Sequence, residues 1–186
     1  MAEAAKKTAT YADLDALPGG TKAHLVDGAI FVPPRPSIPH QEAESALGEE
    51  LRPRFHRGRG GPGGWIILIE PEVRIDGQSV APDLGAWRRE RMPETPRAAH
   101  VTIAPDWICE ILSPSTAAFD RGAKLDLYGS WSVSHAWLVD PDAFTLEAYR
   151  LEHGRWVRLG TWSEETKVRI EPFDAFELDL AVLWTR

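Results

Sequence analysis

The chain predicts an α/β fold: a central sheet, a helix crossing over it, and added β-hairpins. Three observations carry that reading. Strand-like runs rich in Ile, Val, Leu and Trp succeed one another in "WIILIEPEVRID", "SVAPDLGAW" and "DWICEIL". A helix-like segment then separates the last of these from a further apolar run, "HAWLVD", which is the strand, helix, strand order of a crossover packed on a sheet. Asp27-Gly28 and His153-Gly154 each sit between short strand-like runs, where a tight hairpin turn needs residues that accept positive φ.

Residues 1–10 are expected to be a flexible N-terminus and 11–186 a single domain, since no repeat and no long linker divides the chain. "KAHLVDGAIFV" predicts the first hairpin. "PHQEAESALGEELRPRF" follows with small or apolar residues at 43, 46, 47 and 51, the spacing of a modest amphipathic helix, and Pro53 lies near its end. "RGRGGPGG" lacks the lysine and the serine or threonine of a phosphate-cradling loop and reads as a connector. The three strand-like runs come next, with a charged stretch over 88–100 between the last two. Ser115 and Thr116 are N-cap candidates for a helix reaching about Tyr128. "FTLEAYRLEHGRWVRLGTW" alternates as a second hairpin, and "FELDLAVLW" is expected to close an edge.

A chain of 186 residues can bury a core without disulfides or a structural metal. Its one cysteine, Cys109, has no intrachain partner, and no Cys/His spacing suits zinc, which fits a cytoplasmic protein. The two lysines near the start are followed by no signal-like apolar core, and no run approaches the roughly 20 apolar residues of a membrane span. A net charge of -7 argues against an open, nonspecific surface for nucleic-acid phosphates. It leaves room for a local one: "RPRFHRGRGG" and "RRER" gather arginines that are either solvated loops or phosphate contacts.

The residue that asks for explanation is Glu110. Along a strand it shares its face with Ile108 and Leu112, while Trp107, Cys109 and Ile111 point the other way, so both faces are apolar. An ionised carboxylate there needs a cation, hydrogen-bond donors or water. Asp106 lies about 13 Å away along the same strand, too far to share one ion. Asp83 belongs to another strand, which pairing brings to about 5 Å from that of Glu110. Asp83 and Glu110 are therefore the candidate metal pair, and Asp106 is a strand-start residue. Two hard oxygen ligands suit Mg²⁺ or Mn²⁺. Asp120, Lys124 and Tyr128 stand at i, i+4 and i+8 on the following helix, beside an apolar stripe of Phe119, Ala123 and Leu127 expected to pack on the sheet. Lys124 then either reaches the carboxylates or pairs with Asp120 at the surface.

At "VAPDL", "WICEILSPST", the Asp120–Lys124–Tyr128 helix and "AWLVDPDAFTLEAYR", the chain resembles the Uma-two family of restriction-endonuclease-like proteins, a branch of the PD-(D/E)xK nuclease superfamily. The resemblance runs from "YADLDALP" to "FELDLAVLW". It implies a restriction-endonuclease-like core with a central mixed sheet flanked by helices. It further implies metal-binding acids on neighbouring strands, Asp83 and Glu110, near a lysine. The superfamily lysine would stand two residues after the acid, where this chain has Leu112, so its counterpart here is Lys124 on the following helix. His40 stands where the family often has a histidine and Glu44 follows one turn later, so both are candidates to border the cleft, with Asp120 and Tyr128 as further supporting residues. Glu70 and Glu72 either lie near the cleft too or, with Pro71 between them, mark a strand break, which is the preferred reading. His24 stands where relatives usually have an acidic residue.

The expectation that results is an endodeoxyribonuclease dependent on Mg²⁺, with Mn²⁺ able to substitute, acting on DNA as a homodimer. Asp83 and Glu110 hold the metal, Lys124 positions water or offsets charge, and Tyr128 and Asp120 orient the lysine. The alternative is a nucleic-acid-binding or assembly module of the same fold without catalysis, favoured by the net acidity and the displaced lysine.

Overall fold

The computed structural model describes residues 8–184. In chain order the elements are α1 (Tyr11–Asp15), β1 (His24–Val26), β2 (Ala29–Phe31), α2 (Ile38–Leu51), β3 (Trp65–Ile69), β4 (Val73–Ile75), β5 (Gln78–Val80), β6 (Leu84–Arg88), β7 (Trp107–Ile111), α3 (Ala117–Phe119), α4 (Leu125–Ser130), β8 (His135–Asp140), β9 (Thr145–Glu152), β10 (Arg155–Ser163), β11 (Lys167–Val168) and β12 (Leu178–Asp179). Of the N-terminal segment expected to be flexible, residues 1–7 lie outside the described residues. Ala9 and Thr10 are tied down: Ala9 N–H donates to the Gly28 carbonyl at 2.8 Å, and Thr10 caps α1 through Asp13.

The main sheet has six strands in the order β10-β9-β8-β7-β6-β3. Its β7 and β8 run parallel, joined by the crossover through α3 and α4, and the other named neighbours are antiparallel, so the sheet is mixed. A second sheet, β2-β1-β5-β4, is built from two hairpins. Their turns place Asp27 and Gly28 at φ 49° and 71°, and Asp76 and Gly77 at 48° and 77°, the left-handed pairs that twist a two-residue hairpin the right way. His153 and Gly154 do the same between β9 and β10.

Two of the three apolar runs expected in the heart of one sheet are each split between both sheets. Each breaks at a proline: β3 and β4 are separated by Glu70-Pro71, and β5 and β6 by Pro82-Asp83. A proline cannot donate to a ladder, so it ends pairing and lets the chain change sheets. Glu70 adopts φ 47° at its break.

Alternation along β7 divides the core as its sequence implies. Trp107, Cys109 and Ile111 face a layer made by α2 and the C-terminal segment, with Phe173 packed among Phe55, Trp65, Trp107 and Trp137 at ring distances of 4.6 to 5.8 Å. Ile108 and Leu112 face the crossover, against Leu125, Leu127 and Tyr128. The tail does not close an edge of the main sheet. It pairs briefly as β12 with β11, then makes a 3-10 turn, Leu180–Leu183, that covers the core layer beside α2. Leu180 and Leu183, one turn apart, share the buried face of that turn, while Val182 is exposed. Among the described residues no helix is long and apolar enough to cross a membrane.

Candidate active site

The proline breaks set three carboxylates side by side at the ends of three adjacent strands. The β3–β6 ladder ends at Ile69 opposite Leu84, and one step further Glu70 N–H donates to the Asp83 carbonyl at 2.8 Å. The β6–β7 ladder pairs Leu84 with Cys109, so the next step sets Asp83 beside Glu110. Asp83 is locked there, its Oδ2 accepting the Ile111 N–H at 2.6 Å.

Helix α2 brings a second set of groups over this row. Ser37 accepts the His40 N–H as N-cap, and the buried stripe His40, Ala43, Leu47 and Leu51 sets the helix's rotation, which leaves Glu44 facing the strand ends. Glu44, Glu70 and Asp83 each offer an oxygen within 4.8 Å of the others. His40 Nε2 lies 3.3 Å from Asp83 Oδ1. Burial alone would lower the His40 pKa, but the hydrogen bond and charge of Asp83, with Glu44 and Asp120 nearby, outweigh it and raise it. Glu44 is pushed up to about 7, chiefly by burial and then by the charges of Asp83 and Glu70. Its Oε1 is buried and has no hydrogen-bond partner. Three crowded carboxylates, one of them with an orphaned oxygen, form a hard donor set that suits Mg²⁺ or Mn²⁺.

Glu110 has different company. Lys124 Nζ donates to its Oε2 and Tyr128 Oη to its Oε1, each at 2.5 Å, and Lys124 also lies 3.2 Å from Asp120 Oδ1. Glu110, Asp120, Lys124 and Tyr128 are all buried. Burial works against the Lys124 ammonium, but Glu110, Asp120 and Asp83 around it prevail and hold its pKa above the ordinary lysine range. Burial outweighs the pull of Lys124 and raises the pKa of the Glu110 carboxyl above the ordinary carboxylate range. With an ammonium on one oxygen and a phenol on the other, the contacts are those of a hydrogen-bonded ion pair.

The helix packs Leu127 of the expected apolar stripe on the sheet and turns the neighbouring polar stripe inward as well. That polar stripe of Asp120, Lys124 and Tyr128 is buried, and Phe119 and Ala123 are only partly covered. Lys124 lies within ion-pair distance of both buried carboxylates, Glu110 and Asp120, which makes their burial tolerable. A π-turn over Asp120–Lys124 joins α3 to α4 at this point. Such turns insert an extra residue per turn and recur where a helix must aim side chains at a site.

Most of these groups border one cleft of about 520 Å³ between the two sheets and the crossover, among them His24, His40, Glu70, Asp83, Glu110, Asp120 and Lys124, while Glu44 lines a second groove. Lys22 forms an ion pair with Glu70 at its rim. The structure thus brings together Asp83, Glu110, Lys124, Asp120, Tyr128 and His40. The acids grouped with Asp83 as possible metal donors are Glu44 and Glu70, while the Glu110 oxygens are engaged by Lys124 and Tyr128. Glu70, read from the sequence as a strand break in preference to a place near the cleft, is both; the mirrored Glu70-Pro71 and Pro82-Asp83 breaks are the signal that two strands end together with an acid each. Glu72 is held by Arg74 and Ser79, and Asp106 accepts from Arg88 N–H and Arg91, a structural role at the start of β7.

No curated protein matches the chain. A crystal structure at 1.96 Å resolution, of a protein from Anabaena variabilis ATCC 29413 described as "a putative nuclease belonging to DUF820", shares the fold with a TM-score of 0.76, covering 94% of this chain and 96% of that one at 22% identity. The family model Uma2, described as "Putative restriction endonuclease", matches residues 9–182. Matched over nearly its whole length, the chain belongs to the Uma2 family.

Proposed function

We propose that the protein is a metal-dependent endonuclease that hydrolyses phosphodiester bonds in DNA. The observation that carries this reading is a compact carboxylate triad, Glu44, Glu70 and Asp83, of which Glu70 and Asp83 line one cleft with the buried Lys124. The triad would hold Mg²⁺ or Mn²⁺, which when bound neutralises phosphate charge and acidifies water. His40 positions Asp83 from one side, and the Ile111 N–H positions it from the other.

Lys124 is the group placed to act on the developing charge. Its ammonium has three donors, of which Glu110 and Asp120 take two, leaving one for a water or a phosphate oxygen in the cleft. Glu110 and Tyr128 keep it charged and aimed, so in this reading Glu110 acts as a positioning residue beside the metal donors rather than as one of the two principal ligands. Hydrolysis adds water across one P–O ester bond, its oxygen going to phosphorus and a proton to the leaving oxygen.

The test is Mn²⁺ titration calorimetry beside cleavage of supercoiled and linear DNA. Asp83→Asn is expected to lose Mn²⁺ binding and to lower cleavage at least about 100-fold, the scale of removing an electrostatic catalytic group. Glu110→Gln is expected to keep most Mn²⁺ binding and lose cleavage. Full cleavage by folded Asp83→Asn would sink the assignment. DNA binding without any Asp83-dependent cleavage would favour the non-catalytic module.

A further inference from the structure

We infer that the arginines at the end of α2 form a second site, a groove that grips the DNA backbone beside the carboxylate triad; this deepens the nuclease reading and rests on it. The two arginine-rich stretches, 52–59 and 88–91, are far apart in sequence and adjacent in space. After α2 the chain makes a π-turn, Arg52–His56, whose end is pinned to β3 by Ile67 N–H donating to His56 Nδ1 at 2.9 Å. Arg89 N–H then donates to the Gly64 carbonyl, and its guanidinium to that of His56. Arg52, Arg89 and Arg57 all press on the His56 ring electrostatically.

What distinguishes this cluster is lack of compensation. Arg54 is paired with Glu50 and Arg91 with Asp106. Arg52 and Arg57 take part in no ion pair among the described residues, and the Arg52 Nε is buried without a partner. Both line a groove with Gln41, Ser45 and the exposed Glu49, which forms an ion pair with neither of them. In a chain of net charge -7, two guanidinium groups without an ion pair held in one groove are a local exception.

Position identifies the ligand. Glu44 also lines this groove, so it runs directly into the triad. Arg52 lies eight residues beyond Glu44, about 12 Å along the helix axis, or roughly three to four nucleotides of B-form DNA at about 3.4 Å each. A strand whose scissile phosphate meets the triad would lay a flanking phosphate on Arg52 and Arg57. Guanidinium forks suit that bidentate role.

The experiment is fluorescence anisotropy of a labelled DNA duplex in EDTA, where no cleavage occurs, over a salt series from about 50 to 200 mM. Arg52→Gln/Arg57→Gln is expected to bind at least tenfold more weakly at low salt and to flatten the salt slope by about two, one per lost phosphate contact. Because Arg52 is partly buried, exposed Arg57→Glu serves as the second variant, with weaker binding expected and no change in thermal midpoint. Arg155→Gln, at the β10 edge of the same sheet, should bind like the wild type. Unchanged binding by both groove variants, an equal loss in Arg155→Gln, or no binding by the wild type would each overturn the groove. If the groove fails while Asp83-dependent cleavage persists, the nuclease reading stands; if cleavage is absent while the arginine dependence persists, the groove stands and catalysis does not.

Discussion

Lys124 shows how a single side chain is stabilised by what surrounds it. It is buried with Glu110 and Asp120 within ion-pair distance, and removing it would strand two carboxylates in a low-dielectric interior. Lys124→Met is therefore expected to lower unfolding stability by about 3–5 kcal/mol, read by urea denaturation, and Glu110→Gln added to it should restore part of the loss; a loss below about 1 kcal/mol would contradict a buried pair. His24 makes a different prediction. Burial first, then Lys124, lowers its pKa from 6.5 to about 3, and its Nδ1 accepts the Ala81 N–H at 3.3 Å, so the folded protein keeps it neutral. As pH falls below 6.5 the unfolded chain takes a proton that the folded one refuses, so stability present above 6.5 drains away toward pH 3. Each pH unit in that window removes up to about 1.4 kcal/mol, and His24→Gln should flatten that part of a stability-against-pH curve.

At the scale of elements, glycine separates turns that need it from a helix that does not. Gly28 sits at φ +71°, and a Cβ there would fall 2.1 Å from Thr8 Cγ2, so Gly28→Ala should destabilise the β1–β2 hairpin by about 1 kcal/mol or more. Gly122 lies in the π-turn at ordinary helical φ with nothing within 4 Å of an added Cβ. Gly122→Ala should stabilise by about 0.5–1 kcal/mol, and the opposite signs are checked by thermal denaturation of the two variants side by side. The Asp76-Gly77 turn carries the same sequence signal as Asp27-Gly28, and its hairpin was hidden only because each flanking run also contains a main-sheet strand. The breaks at Pro71 and Pro82 are local chemistry with a distant consequence, since together they set Glu70 beside Asp83.

For the whole molecule, the site is a junction: α2, the ends of three strands, the second sheet and the crossover each supply a wall or a charge. An ion bound only by the folded protein should raise its stability by about 2.7 kcal/mol at 100 times the dissociation constant. Adding Mn²⁺ is thus expected to raise the melting midpoint of the wild type and leave that of Asp83→Asn unmoved; equal shifts would point to binding elsewhere. The sequence by itself determined the α2 helix, the crossover, the two hairpins at Asp27-Gly28 and His153-Gly154, the family, and the identity of Asp83, Glu110 and Lys124 as groups needing partners, because periodicity, turn residues and an acid in an apolar strand are local signals. The tertiary structure decided that Glu44 and Glu70 crowd Asp83, that the polar stripe of the crossover faces inward, and that two arginine clusters share one end of α2. Those are distances between residues far apart in the chain, set by strand register and helix rotation, and spacing along a sequence does not encode them.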